Sequence, residues 1–81
     1  MRIPRDLSGA DLERALMALG YERTRKSGSH VRLTTHTRGE HHVTVPDHKM
    51  LPLGTLQSIL RSIARHFECS TSELLDRIFG A

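Results

Sequence analysis

The segment Gly28-Ser29-His30 carries the side chain in this sequence that is best suited to proton transfer. A histidine can accept or donate a proton near neutral pH, so it can activate a hydroxyl or protonate a leaving oxygen. Three cations lie close by in the chain, namely Arg25, Lys26 and Arg32. Cations can stabilise the charge that builds on a phosphorane. This set therefore suits RNA cleavage without a metal, in which the 2′-hydroxyl attacks its own phosphorus.

Positive charge is concentrated in the middle of the chain. Residues 1–20 and 50–81 are each formally neutral, so residues 21–49 hold the whole net charge of +3 and five of the six histidines. Such segregation is typical of a surface that contacts phosphates, and a solvated basic sheet face would give the same pattern. Because glycine allows a close approach, the backbone N–H groups of Gly28 and Ser29 are further candidate phosphate contacts.

The remaining reactive side chains give weaker signals. His41 and His42 look like a metal pair, but neighbours on one strand point to opposite faces, and no clear partner ligands accompany them. Cys69 is the single cysteine, which excludes an intramolecular disulfide and a CxxC motif. His66 lies three residues before Cys69, which is weak evidence for a catalytic pair. The sequence therefore predicts no metal and no cofactor.

The first element that could support this site is a helix over about residues 9–19. Ser8 and Asp11 form a variant of the capping box, and Gly20 is a natural stop. The apolar stripe of this helix consists of Leu12, Ala15, Leu16 and Leu19.

Three short segments then predict an antiparallel meander. Residues 21–26 are short and charged, and residues 29–35 and 41–45 alternate between apolar and polar positions. One face should carry Val31, Leu33, Val43 and Val45, and the other His30, Arg32, His42 and Thr44. The orientation of the first strand stays open, because alternation would place the charged Arg23 and Arg25 on the same face as Tyr21.

Two further helices complete the predicted order. Leu53-Gly54-Thr55 opens the second helix, with Thr55 as a plausible cap, and an apolar stripe runs from Leu56 to Phe67. The capping box Ser70-Thr71-Ser72-Glu73 predicts a short third helix over about residues 70–79. Its apolar face would be Leu74, Leu75, Ile78 and Phe79.

These elements predict an α+β fold in one domain over residues 1–81. The 81 residues allow one modest core. Both main helices should cover the apolar sheet face, which leaves the opposite face for a ligand. No apolar run approaches the roughly 20 residues that span a membrane, and the N-terminus lacks the apolar stretch of a signal peptide. We therefore expect a cytoplasmic protein with no membrane partner.

The ordered motifs resemble the HicA toxin family. The resemblance rests on a series of segments spaced as in that family: Pro4 to Leu16, Leu19-Gly20-Tyr21, residues 25–30, Val45-Pro46-Asp47-His48 and residues 53–60. It covers about residues 3–67, and the predicted helix over residues 70–79 is an addition. Many relatives have a second histidine or an aromatic residue directly after the Gly-Ser-His motif, whereas Val31 stands here.

The resemblance implies a double-stranded-RNA-binding-domain-like α-β-β-β-α fold with a three-stranded antiparallel sheet and the helices on one face. It implies an mRNA endoribonuclease from a toxin–antitoxin pair, inhibited by a HicB-type antitoxin. The essential histidine of the family corresponds to His30. Lys26, Arg25, Arg32 and His48 are possible RNA contacts, and we expect the chain to be monomeric alone.

Two other interpretations remain open at this point. A non-catalytic RNA-binding module of the same fold would carry the same charges, because function is decided at the site and not by the fold. A protein-interaction domain could use the basic face to bind an acidic partner. Cleavage of RNA by the isolated chain would separate the enzyme from both.

Overall fold

The computed structural model, which describes residues 3, 4 and 6–80, has one α-helix before a three-stranded sheet and two after it. Residues 1, 2, 5 and 81, which belong to the predicted single domain, lie outside the described residues. The described elements are α1 (Gly9–Leu16), β1 (Glu22–Ser27), β2 (His30–Thr35), β3 (His41–Pro46), α2 (Leu53–His66) and α3 (Thr71–Phe79). This order confirms the predicted α+β fold with an α-β-β-β-α core and an added C-terminal helix.

The first helix begins and ends as its sequence predicts. The Ser8 hydroxyl accepts a hydrogen bond from the Asp11 N–H at 3.0 Å, and the Asp11 carboxylate accepts one from the Ser8 N–H at 3.1 Å. This reciprocal bond satisfies two N–H groups that the helix itself leaves unpaired. The last turn tightens into a 3₁₀ turn over Met17–Leu19, and Gly20 ends it with a φ of 83°. The helical segment therefore reaches Leu19, as predicted.

The strands pair in the order β1-β2-β3, antiparallel throughout. In the second pair of strands, Val31 opposes Val45 and Leu33 opposes Val43. These four side chains are buried beneath the helices, of which α1 and α2 both pack on β3. The apolar face and the opposite polar face that alternation in β2 and β3 predicts are thus confirmed.

A β-bulge in the first strand resolves the open question about Arg23 and Arg25. Arg23 pairs with Leu33, but the next pair is Arg25 with Arg32, so Thr24 is an extra residue. An extra residue reverses the side on which every later side chain lies. Arg23 therefore points to the helix side, where its guanidinium makes two hydrogen bonds to the Glu13 carboxylate at 2.8 and 3.0 Å. Arg25 points to the opposite face.

The second helix begins earlier than its predicted cap. Thr55 was expected to cap it, but the helix starts at Leu53 and Thr55 lies within the first turn. The Pro52 carbonyl already accepts the Leu56 N–H at 3.0 Å, and the Leu51 N–H donates to the Leu7 carbonyl at 2.8 Å. Pro52 therefore occupies the capping position, and the predicted Thr55 cap is wrong.

The third helix completes the core. The predicted capping box is present, since the Ser70 hydroxyl accepts from the Glu73 N–H at 3.0 Å. Leu74, Leu75 and Ile78 are buried, whereas 36% of the Phe79 surface is exposed, so Phe79 is not the core residue that its position predicts. Within the described part of the chain, no helix combines the length and the apolar character needed to cross a membrane.

Candidate functional site

The sheet face turned away from the helices is called the open face, and it carries His30. Strand pairing, together with the contact of the bulged Thr24 with Thr34, places nine polar side chains on it: Glu22, Thr24, Arg25, Ser27, His30, Arg32, Thr34, His42 and Thr44. Apart from Arg32 and Thr34, these side chains are exposed. The open face is therefore a polar surface available to a ligand.

His30 is positioned by a tight hairpin. Ser27 pairs with His30, so only Gly28 and Ser29 connect β1 to β2. Gly28 has a φ of 58°, and Ser29 is not among the residues with positive φ, which is the pattern of a type II′ turn. A Cβ at Gly28 would meet nothing within 4 Å, so the backbone there is open to approach. The turn places His30 at the first position of β2 with its side chain exposed.

Asp47 supports the hairpin from the end of β3. Its backbone N–H donates to the Ser29 carbonyl at 2.6 Å, and its carboxylate lies 3.5 Å from the Lys26 ammonium. Because Lys26 pairs with Val31, its side chain leaves the strand on the helix side. Asp47 and Lys26 thus support the start of β2 from the helix side of the sheet.

A shallow depression of about 310 Å³ lies at this end of the open face. Its lining residues are Arg25, Ser27, His30, Arg32 and Thr44. Side chains two residues apart on a strand are separated by about 7 Å, and neighbouring strands by about 5 Å. His30 and Arg32 lie two residues apart on β2 and Arg25 opposes Arg32 on β1, so the imidazole and both guanidinium groups border the same depression.

The two arginines of the depression face each other across the sheet. Arg25 and Arg32 form a directly opposed pair. Within residues 3, 4 and 6–80, no carboxylate lies within 4 Å of either guanidinium. Like charges in such a pair are destabilising, and an anion bound between them would remove the repulsion. The depression therefore has the electrostatic character of an anion site.

Comparison with protein families gives a match over residues 9–64, to the family described as HicA toxin of bacterial toxin-antitoxin. The chain belongs to the HicA toxin family. The match runs from the start of α1 into the last turns of α2, so it includes the whole sheet and the depression. Neither the curated proteins nor the solved structures provide a match. The chain is thus a toxin of a toxin–antitoxin system.

The structure of this HicA-family toxin brings together only part of the predicted site. His30, Arg25 and Arg32 line one depression. Lys26 lies on the other side of the sheet, in an ion pair with Asp47. Gly28 and Ser29 form the turn that precedes His30.

His48 lies in the loop after β3, outside the residues that line the depression. The carbonyl of His48 accepts the Gly9 N–H at 2.9 Å. Its clearest role is therefore in the backbone contact between this loop and the start of α1.

Sequence reasoning missed a chain of hydrogen bonds on the open face. The Thr24 and Thr34 hydroxyl oxygens are 2.9 Å apart, and Thr34 Oγ1 lies 2.7 Å from His42 Nδ1. His42 Nε2 lies 2.8 Å from the Glu40 carboxylate. Alternation predicted His42 on this face, but nothing in the sequence indicates a bulged Thr24 within reach of Thr34.

His41, the other histidine of the adjacent pair, lies on the opposite side of the sheet, as predicted. His41 Nδ1 is 2.7 Å from the Tyr21 hydroxyl, and Nε2 is 3.2 Å from Ser62 Oγ. The His41 ring also stacks on His66, with centroids 4.5 Å apart. Burial, and to a lesser extent the neighbouring His66 and His42, lower the pKa of His41. Burial raises the pKa of the Tyr21 hydroxyl to about 12. Tyr21 and His41 are therefore both neutral in the hydrogen-bonded group that joins the sheet to α2 through Ser62.

Proposed function

We propose that the chain is an endoribonuclease that cuts mRNA without a metal ion, with His30 as the catalytic residue. The support is chemical. For a 2′-hydroxyl to attack its neighbouring phosphodiester, one side chain must transfer a proton. Positively charged groups must also surround the phosphorus. The depression supplies an imidazole and two arginines that have no acidic partner among the described residues.

The reaction can be written with these side chains and water. The 2′-oxygen attacks the phosphorus, the bond to the 5′-oxygen breaks, and the products end in a 2′,3′-cyclic phosphate and a 5′-hydroxyl. His30 either accepts the 2′-hydroxyl proton or donates a proton to the departing 5′-oxygen, and water carries out the other transfer, so that no proton is gained or lost overall. Arg25 and Arg32 bind the non-bridging oxygens, whose negative charge grows in the phosphorane. They supply the positive charge that a metal ion provides in other nucleases.

The single observation that carries the proposal is the opposed pair Arg25 and Arg32 beside His30. Two opposed arginines without an acidic partner lower the stability of the free protein. Its placement next to the one imidazole that lines the depression is explained by an anionic substrate that reacts there.

A HicB-type antitoxin is expected to neutralise the toxin by covering the open face. Toxin–antitoxin function requires a partner that blocks the reactive surface. The exposed depression with its unpaired arginines suits an acidic surface of that partner. The same binding would exclude RNA, so antitoxin and RNA should compete.

The proposal is tested by incubating the purified chain with a labelled mRNA fragment in excess chelator. We expect cleavage at the rate seen without chelator, and products that end in a 2′,3′-cyclic phosphate. A 2′-O-methyl RNA of the same sequence is the matched control, since it lacks the attacking hydroxyl and should stay intact.

Three outcomes would count against the proposal. Cleavage of the 2′-O-methyl RNA would contradict the attack by the 2′-hydroxyl. A requirement for added metal would contradict the role given to the arginines. Salt-dependent binding with no cleavage would favour a non-catalytic RNA-binding module.

A further inference from the structure

The β1 bulge decides which cation stands beside His30. With strict alternation after Arg23, Lys26 would oppose His30 and Arg25 would oppose Val31 on the helix side. The extra residue Thr24 exchanges the two cations, so that Arg25 faces the depression and Lys26 lies behind the sheet. The exchange matters chemically because a guanidinium can bind two phosphate oxygens at once, whereas an ammonium acts as a point charge.

The bulge is held by the hydrogen-bonded chain Thr24–Thr34–His42–Glu40, which we call the threonine–histidine network. It crosses all three strands on the open face, with successive separations of 2.9, 2.7 and 2.8 Å. The Glu40 carboxylate can only accept, so His42 Nε2–H donates to it and Nδ1 accepts the Thr34 O–H. The Thr34 oxygen is then left to accept the Thr24 O–H. Each hydroxyl has one defined direction, which fixes the bulged residue in place.

The bulged register is unfavourable for β1 by itself. It brings Arg25 directly opposite Arg32, and it interrupts the backbone ladder at Thr24. Arg23, at the last regular pair before the bulge, is held on the helix side by Glu13. Between Arg23 and Arg25, the hydrogen bond from the Thr24 hydroxyl to Thr34 is the contact that offsets these costs.

We propose that the threonine–histidine network is a positioning device that maintains the β1 bulge and so aims Arg25 into the His30 depression. Thr34 is the central residue, because it contacts both Thr24 and His42. Only 6% of its surface is exposed, so it acts through Arg25 and not on the substrate directly. The consequence for RNA rests on the proposed function, whereas the effect on strand register does not.

The test is a double-mutant cycle between Thr34→Val and Arg25→Ala, read as the Kd for a short 2′-O-methyl RNA. Each single variant should weaken binding about tenfold, the usual loss for one charge-assisted phosphate contact. The double variant should bind no more weakly than Arg25→Ala alone, since Thr34 acts through that residue. Thr34→Ser, which restores the hydroxyl, should recover most of the affinity.

The matched control is Thr35→Val, one position further along the same strand. Thr35 is also buried, but its hydroxyl donates to the Leu19 carbonyl at 2.8 Å on the helix side. Its effect on binding should be small and independent of Arg25. Thermal unfolding of every variant shows which of them are folded, and Thr24→Val, at an exposed position, replaces Thr34→Val if that variant does not fold.

A second readout does not depend on RNA. Cross-strand NMR contacts should pair Arg25 with Arg32 in the wild-type chain and in Thr35→Val, and should lose that pairing in Thr34→Val. An unchanged register in Thr34→Val, or losses of affinity that multiply in the double variant, would overturn the inference. Failure of the wild-type chain to bind RNA would instead overturn the proposed function, and the NMR register would still decide the role of the network.

Discussion

The imidazole of His30, which lies beside two arginines, can act in cleavage as a general base or as a general acid. If His30 acts mainly as a general base, the cleavage rate should rise with pH; if it acts mainly as a general acid, the rate should fall with pH. The neighbours of His30 in the depression are cations and hydroxyls, with no carboxylate among its lining residues. The direction of the pH profile would therefore report the role of this one side chain.

A different histidine, His41, should control the response of folding to pH. Its pKa is lowered in the folded state by burial first and by His66 and His42 second. The unfolded chain therefore binds more protons below the ordinary value of 6.5, and the free energy of unfolding should fall as the pH drops below it. Urea unfolding at a series of pH values measures this slope.

The variant His41→Gln should flatten that slope, since it keeps a side chain that can hydrogen-bond but does not titrate. His48→Gln is the control and should leave the slope unchanged, because the His48 side chain is exposed and forms no ion pair with the described residues. An equal slope in His41→Gln and wild type would show that another group is responsible.

Strand alternation was enough to predict the residues of β2 and β3 on the open face. His30, Arg32, Thr44 and His42 follow from a period of two in segments without irregularities. The positions of Arg25 and Lys26 could not be predicted, because one extra residue reverses them. That residue is held by a tertiary contact to Thr34, and a single strand contains no signal of it.

At the scale of elements, the start of α1 is fitted against the end of β3. A Cβ on Gly9 would overlap the Pro46 carbonyl oxygen, and it would lie 3.2 Å from the Asp47 Cα. Asp47 in turn braces Ser29 beside His30. The sequence showed glycine at the first helical position without revealing why; close backbone packing is the reason, and it links the helix to the hairpin.

Gly9→Ala should therefore lower the free energy of unfolding, by about 1–3 kcal/mol as for other overpacked sites. Gly54→Ala is the matched control in the first turn of α2, where a Cβ meets nothing within 4 Å. It should raise stability by up to about 1 kcal/mol, since alanine is the better helix former. Equal effects at the two positions would contradict the close packing of α1 on β3.

At the scale of the whole molecule, the folded unit extends beyond the family match. The match ends at residue 64, but α3 packs on both α1 and α2. Leu74 of this helix is fully buried in the same cluster of residues as Leu12 of α1. The Ser70 capping box made α3 predictable, whereas its place in the core depended on packing that only the tertiary structure shows.

Leu74→Ala should cost about 2–5 kcal/mol, the usual loss for a buried leucine. Asp76→Ala, at an exposed position of the same helix, should change stability by no more than about 0.5 kcal/mol. Chemical denaturation of both variants measures the difference. A small effect of Leu74→Ala would mean that α3 is an appendage to the core.

The most direct measurement of the central claim compares RNA cleavage by wild type, His30→Ala and His36→Ala at saturating RNA. Loss of a general acid or base should slow His30→Ala by about 10²–10⁴-fold, while its affinity for 2′-O-methyl RNA stays near that of wild type. His36→Ala, an exposed histidine in the turn before β3, should cut at the wild-type rate. Wild-type cleavage by folded His30→Ala would contradict the account.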